Sequence, residues 1–528
     1  MAHSDNSNFY ALVERRFPAD LEACSIETAD GLVYSWRDLQ HASGRLANWL
    51  VSLRPAPGAR VAVQVEKSPE CLMLYLATLR AGLVYLPLNT AYQRAEIEYF
   101  LADAEPTVLI CTPARRDELE PLARKAGIRH VYTLGESRDG SLLEAAAPHA
   151  DGFGTRLRAA DDLAAILYTS GTTGRSKGAM LTHRNLASNA LTLDEFWGFA
   201  RERAEGRQDV LLHALPLFHV HGLFVASHAA LLAGARVLFL PKFDVAQVLE
   251  RLPRSTVFMG VPTYYTRLLA EARLDRALCS RMRLFISGSA PLLADTHRDF
   301  EARTGQRILE RYGMSETVML VSNPYFAARG PRLAGTVGVA LPGVELRVVR
   351  DDGRACAPGE IGAVEVRGPN VFSGYWRMPE KTAEEFTRDG WFRTGDVGHF
   401  GGAGVPDDYL TLVGRSKDLI ISGGYNVYPK EVEGYIDELP NVVESAVIGL
   451  PHPDFGEAVA AVVVARRVGT LEAATIVHAL KGRIANYKVP KRVFVVEDLP
   501  RNTMGKVQKN VLRDRYRTTF TPQTRTAA

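Results

Sequence analysis

Cysteine is scarce in this chain of 528 residues, and the little there is lies scattered. The five cysteines, Cys24, Cys71, Cys111, Cys279 and Cys356, form no C-x-x-C pair. That pattern argues against a zinc site and a disulfide framework, and for a reducing compartment. An excess of one charge is also missing: 63 basic residues stand against 60 acidic ones, for a formal net charge of +3. Nothing there points to nucleic acid or to an anionic membrane surface. Basic clusters such as Arg201-Glu-Arg203 and Lys488 to Arg492 are short or mixed with apolar residues, and read as solvated faces. No stretch approaches the roughly eighteen uninterrupted apolar residues of a spanning helix. The N-terminus, Met1-Ala-His-Ser-Asp-Asn-Ser-Asn, lacks a charged region followed by an apolar one. A cytoplasmic protein with no membrane partner is expected. Internal repeats and low-complexity tracts are lacking as well.

What is present is an ordinary globular composition, 46% hydrophobic and 23% charged, in a chain too long for one core. Residues 30 to 160 alternate apolar strand-like runs (60–65, 84–88, 107–111) with a helical segment at 70–82, which predicts a parallel, doubly wound α/β sheet. The pattern continues with strands at 237–240, 257–259 and 284–286. From about residue 335, short strands alternate with turn residues, giving a β-rich subdomain. A smaller α+β unit is expected at the C-terminal end, with strands at 444–449 and 458–465 and helices at 430–438 and 472–485. We place the boundary at the charged connector Gly414-Arg-Ser-Lys-Asp418, giving domains 1–416 and 417–528. The tail from Thr518 reads as disordered.

The densest chemical signal is Tyr168-Thr-Ser-Gly-Thr-Thr-Gly-Arg-Ser-Lys-Gly178, directly after the apolar run 163–167. Glycines and hydroxyls after a buried strand let backbone N–H groups wrap phosphate oxygens while Lys177 neutralises charge. It is not a Walker A loop, because Gly178 follows Lys177. A flexible surface loop is the bland reading, and the flanking strand and density of donors weigh against it.

This segment resembles the signature of the adenylate-forming superfamily, which contains acyl-CoA synthetases, luciferases and the adenylation domains of peptide synthetases. Further motifs follow in that family's order and span most of the chain. The resemblance implies that Thr169, Ser170, Gly171, Thr172, Thr173, Gly174 and Lys177 hold the ATP phosphates. Gly288-Ser-Ala-Pro-Leu292 (with Ser289 and Ala290) and Glu310-Arg-Tyr312 match segments that enclose adenine, continuing through Gly313, Met314 and Ser315. Glu316 matches a ligand of the Mg²⁺ that travels with ATP, a cation that needs few carboxylates. Asp396, in Phe392-Arg-Thr-Gly-Asp396, matches the residue that accepts from both ribose hydroxyls, and Arg415 a nucleotide contact. A turn-forming Asp, a helix N-cap Ser with a following Glu and a solvated Lys are the ordinary readings of these motifs without the resemblance.

Lys506, in Pro500-Arg-Asn-Thr-Met-Gly-Lys506, matches the family's catalytic lysine, which offsets charge between acyl carboxylate and α-phosphate. The position of Lys417 matches the hinge about which a small C-terminal domain rotates. Ser422, Gly423 and Gly424 match the loop that lines the CoA pantetheine channel. Three histidines, His213, His219 and His221, lie close together, but no carboxylate or Cys cluster supports a metal there. The family element at Leu215-Pro-Leu-Phe-His-Val-His-Gly222 implies that His219 lines the acyl pocket.

Pocket segments resemble the malonate-activating branch. There the arginine matching Arg267 pairs with the distal carboxylate, and residues matching Ser289 and Met314 shape the pocket. A guanidinium meets a second carboxylate with two parallel hydrogen bonds; a surface helix arginine is the alternative. The implied reaction is ATP-dependent ligation of malonate to CoA through an acyl-AMP. The alternatives are a CoA ligase for another short-chain, medium-chain or aryl acid, a free-standing adenylation domain loading a carrier protein, or an inactive nucleotide-binding relative. Acetylation of Lys506 would remove its charge. The glycine-rich stretch 401–408 departs from the family's hairpin and leaves its local geometry open.

Overall fold

The computed structural model describes residues 6–169, 176–422, 425–467, 471–481, 483–502 and 505–520. Contacts divide the chain into two compact units. One comprises Met1–Glu345 and Arg367–Phe392, the other Leu346–Val366 and Arg393–Ala528.

The first unit holds two sheets of the expected doubly wound kind. In the six-stranded sheet the order is His130–Thr133, Val108–Cys111, Arg60–Gln64, Val84–Pro87, Leu163–Thr169 and Lys177–Thr182. Every pairing is parallel except the last, where Lys177–Thr182 folds back antiparallel on Leu163–Thr169. Helices make the crossovers that parallel strands require. The helix Pro69–Arg80 starts where Ser68 accepts from the Cys71 N–H, with Pro69 in the first turn, where no hydrogen bond is lost.

The second sheet has nine strands, in the order Val339–Ala340, Val321–Ser322, Ile308–Tyr312, Leu284–Ser287, Val257–Gly260, Val210–His213, Arg236–Phe239, Cys24–Thr28 and Val33–Ser35. The six from Ile308–Tyr312 to Cys24–Thr28 are parallel. Buried strands of Val, Leu, Ile and Phe pack with Tyr265, Leu268 and Phe300 into one core. Four neighbouring parallel strands thus end side by side, at Tyr312, Ser287, Gly260 and His213. The carboxyl ends of such strands are where open α/β sheets bind ligands.

In the second unit, strands Phe392–Gly402 and Val405–Arg415 form one long hairpin, with Gly402 opposite Val405 and an irregularity between Phe400 and Gly402. The glycine-rich stretch is therefore a tight turn inside a regular hairpin. Contacts group this hairpin with the C-terminal strands, so the second unit begins upstream of the connector at 414–418. A five-stranded sheet follows, built around Gly456–Ala465, with Val442–His452 antiparallel at its edge and Arg492–Val496 parallel to the central strand. The helix expected at 472–485 ends earlier, as Ala473–Leu480. Thr518 to Phe520, placed in the expected disordered tail, are described residues, and those after Phe520 lie outside the described ones. Phe520 joins a hydrophobic cluster with Leu450 and Leu512 and lies 5.1 Å from the His452 ring.

Candidate active site

The four neighbouring strand ends carry four of the motif segments: Tyr312-Gly-Met-Ser-Glu316, Gly288-Ser-Ala, Gly260 to Arg267 and Leu215 to Gly222. Gly288 is required by the close approach of Arg311, since a Cβ there would begin 2.4 Å from the guanidinium carbon. The next residue, Ser289, sits at φ +71°, a left-handed conformation that costs a non-glycine residue energy and recurs at functional sites. Its Oγ lies 3.3 Å from His221 Nδ1.

Arg311 is only 3% exposed, and its Nε and Nη2 find no hydrogen-bond partner among the described residues. Burial lowers its pKa to about 9. Burial, then the Arg311 charge, drives the His221 imidazole well below its usual range, which makes it neutral. A buried guanidinium with unmatched donors is costly unless an anion meets it. Arg267 is in a different setting, on the exposed face of the helix Pro262–Leu269. His219, Met314 and Ser315 are half-buried, as are Ser289, Ala290 and Gly313. Tyr312 and Glu310 are buried, and Glu310 Oε1 accepts from the Leu292 N–H at 3.1 Å.

Thr169 and Lys177 are register partners at the loop end of their hairpin. Ser170, Gly171, Thr172, Thr173 and Gly174, the heart of the expected phosphate loop, lie outside the described residues. Lys177 Nζ sits 3.4 Å from Glu385 Oε1 and 4.2 Å over the Tyr375 ring. The Tyr375 hydroxyl donates to Glu316 Oε1 at 3.1 Å. Segment 373–376 is sewn to the lysine strand by Trp376 N–H to Gly178 O (2.8 Å), Met180 N–H to Gly374 O (3.0 Å) and Ser373 N–H to Met180 O (3.1 Å). Tyr375 thus connects Lys177 with Glu316, the expected metal-binding carboxylate. Neither Tyr375 nor Glu385 was reached from the sequence; an aromatic after glycine and an acid ending a short helix carry no periodic signal.

Glu316, 6% exposed, is the single carboxylate expected for the cation. Among the described residues no group of three His, Cys, Asp or Glu side chains could hold a metal. One buried carboxylate suits Mg²⁺, which takes most of its ligands from phosphate and water.

In the second unit, Asp396 and Arg415 face each other in register across the hairpin, with Arg415 Nε 2.9 Å from Asp396 Oδ1. Thr394 Oγ1 accepts from the Asp396 N–H at 3.1 Å and donates to Val364 O at 2.8 Å, which fixes this turn. Lys506 is presented by a local loop. Its N–H donates to Asn502 Oδ1 and its carbonyl accepts from the Asn502 N–H, both at 2.9 Å. Arg501 Nη1 closes the loop on Gly505 O at 2.6 Å. Loss of hydration, then the Arg415 charge, lowers the Lys506 pKa, against the pull of Asp396 and Asp418. Lys417 is lowered to about 8, by shielding of its ammonium and then by Arg415. Ser422 is buried, while Gly423 and Gly424 lie outside the described residues.

In the first unit Lys177 and the buried Glu316 both meet Tyr375, and the second unit carries the Asp396–Arg415 pair and Lys506, each within a motif that resembles those of adenylate-forming enzymes. The chain belongs to that family: residues 13–376 match the AMP-binding enzyme model and residues 431–506 the AMP-binding enzyme C-terminal domain. It is 38% identical over 488 residues to a malonate–CoA ligase of Arabidopsis thaliana, covering 86% of this chain and 78% of that protein. The mitochondrial malonate–CoA ligase ACSF3 of Mus musculus is 37% identical, with 86% of this chain and 81% of that one covered. The crystal structure of ATP-bound MatB from Rhodopseudomonas palustris is 55% identical with a TM-score of 0.93, covering 98% of this chain and 100% of that one. No helix among the described residues is long and apolar enough to cross a membrane.

Proposed function

We propose that this enzyme ligates malonate to CoA in two steps through malonyl-AMP, with a lid domain running from residue 417 and hinged at Lys417. In the first step a malonate carboxylate oxygen attacks the α-phosphorus of ATP, and the bond to pyrophosphate breaks. Lys506 offsets the charge of the two anions that meet, and Lys177 with the loop 169–174 holds the β- and γ-phosphates. Asp396 accepts from the ribose hydroxyls and Arg415 pairs with it, while the segments 288–290 and 310–315 enclose the base, the Arg311 side chain alone being assigned to the acid instead. Mg²⁺, held by Glu316 and phosphate oxygens, supplies charge neutralisation of the triphosphate. In the second step the CoA thiolate attacks the acyl carbon and AMP leaves. Ser422, Gly423 and Gly424 line the approach of the pantetheine arm.

The observation that carries the malonate reading is Arg311. Its buried, unmatched guanidinium against Gly288 suits an acid with a second carboxylate, which an apolar acyl pocket would leave unpaired. Arg267, exposed on the helix that follows Gly260, is assigned as the second cation for that carboxylate. His219 and Met314 line the pocket. The relatives named for malonate support the same substrate. We place the reaction in the cytoplasm, with acetylation of Lys506 as an off-switch.

A single panel tests the reading: AMP and thioester release with Mg²⁺, ATP, CoA and malonate, methylmalonate, acetate, octanoate or benzoate. Malonate is expected to give the highest kcat/KM. ADP in place of AMP, or a better rate with octanoate or benzoate, overturns it.

A further inference from the structure

Lys67 is a buried cation that the proposed chemistry leaves unused. It lies between the strand Arg60–Gln64 and the helix Pro69–Arg80, and is 8% exposed. No carboxylate among the described residues lies within ion-pairing distance of it, and burial alone drives its pKa well down. Both of its hydrogen bonds go to a single residue. Lys67 Nζ donates to His213 O at 2.8 Å and lies 3.0 Å from His213 Nδ1, with the Phe239 ring 4.2 Å away. An apolar side chain of that length would fill the space without the desolvation cost. What the lysine supplies instead is a donor aimed at one ring nitrogen.

That donor decides the state of His213. With Nδ1 accepting, the imidazole proton resides on Nε2, which lies 3.1 Å from both Gly222 O and Ser227 Oγ. The Ser227 hydroxyl donates to the same Gly222 carbonyl at 2.9 Å. Two donors therefore converge on one carbonyl inside the π-helical turn His221–Ser227, a wide, intrinsically poor geometry that recurs at functional sites. The turn packs closely on the Pro216 backbone at Gly222, where a Cβ would begin 2.0 Å from Pro216 O. At its first residue, His221 reaches Ser289 beside Arg311. Leu217 and Phe218 of the His219 segment share the lining of a small cavity with Lys67.

We propose that Lys67 is a specificity-determining positioning residue. Through His213 it pins the His221–Ser227 turn and so sets the pocket wall against the non-reacting end of the acid. This rests on the acid-binding role of that pocket, but not on the acid being malonate.

The test uses the purified full chain, with KM for the acid, KM for ATP and kcat measured in parallel for wild type, Lys67→Met and Ser227→Ala. Lys67→Met is expected to raise KM for malonate about tenfold and to narrow the malonate-over-propionate preference, with KM for ATP unchanged. Ser227→Ala, which removes one of the two donors on Gly222, is expected to act in the same direction by about threefold. A purely structural lysine would lower the yield of active enzyme and so kcat, leaving both KM values alone; that outcome overturns the proposal. So does a parallel rise of both KM values. If Lys67→Met does not fold, Ser227→Ala decides by the same criterion. If wild type prefers another acid, the malonate reading fails separately, and the same comparison is made with that acid.

Discussion

Glu385 pairs with Lys177, the ammonium proposed to hold the ATP phosphates. The two side chains sit 3.4 Å apart and are about one-fifth exposed, and Lys381 Nζ holds the same carboxylate oxygen at 3.1 Å. A partly exposed pair of this kind contributes little to stability, on the order of 1 kcal/mol or less. Its consequence lies in binding, because triphosphate must displace the carboxylate before Lys177 can neutralise it. Glu385→Gln is therefore expected to lower KM for ATP about threefold, in line with losing a weak competing ion pair. Calorimetric titration with ATP checks it. A weaker ATP affinity in that variant would make Glu385 a support for Lys177 rather than a competitor.

Two arginines share the assignment to the distal carboxylate, and they differ in burial. Arg267→Ala is expected to cost a few kcal/mol in kcat/KM for malonate, roughly a hundredfold, as for a lost charge-assisted bond. Arg311→Met is expected to cost at least as much, because it removes the buried donor set, and to leave KM for ATP less affected than KM for malonate. Malonate kinetics like wild type in Arg267→Ala would leave Arg311 as the sole partner. Equal losses for malonate and acetate in Arg311→Met would assign it to the scaffold.

Much of this architecture could be read from the chain. Val61, Val63, Leu109, Ile110, Phe285 and Ile286 lie in short apolar runs between helix-length segments, and such runs become central parallel strands. Asp396 and Arg415 were recognisable as motifs, but their pairing was not, since it depends on hairpin register between positions far apart in the chain. Three features escaped for a common reason. Glu385, Tyr375 and Lys67 owe their roles to partners far away in sequence, Lys177, Glu316 and His213, and no local pattern distinguishes them from a surface acid, a core aromatic and a solvated lysine. The helix ending at Leu480 rather than near 485 shows the usual weakness of pattern at element ends.

Buried neutral histidines make the fold sensitive to acid. Burial lowers His183 to about 4 and His228 to about 3, and drives His213 and His221 down as well. Their folded pKa values lie below the unfolded value near 6.5, so the unfolded chain takes up protons first. The stabilisation is complete above about pH 6.5 and is lost as pH falls towards the folded values. Each of His183 and His228 is expected to withdraw on the order of 2 kcal/mol by pH 5. Urea unfolding at pH 7.5 and pH 5 checks this, and His228→Gln should flatten the difference. A midpoint that does not move between those pH values would rule it out.

The role proposed for Lys506, between two anions, requires its charge, and its surroundings make that charge easier to lose than in an ordinary lysine. Loss of hydration, Arg415 and Lys509 lower its pKa from the usual 10.5, while Asp396 and Asp418 oppose them. The ammonium therefore discharges at lower pH than a solvated lysine, and adenylation is expected to fall on the alkaline side below pH 10.5. The measurement is malonate-dependent ATP–pyrophosphate exchange against pH, in the full chain. Lys509 is a clean lever, because it pairs with Glu433 at 2.6 Å and takes no part in the proposed chemistry. Removing its charge by Lys509→Gln takes away one of the cations that depress Lys506, so the alkaline limb is expected to move to higher pH with the plateau rate little changed. A limb that stays in place, or one that persists unchanged in Lys506→Arg, would assign the titration to another group, with Lys417 at about 8 the first to examine.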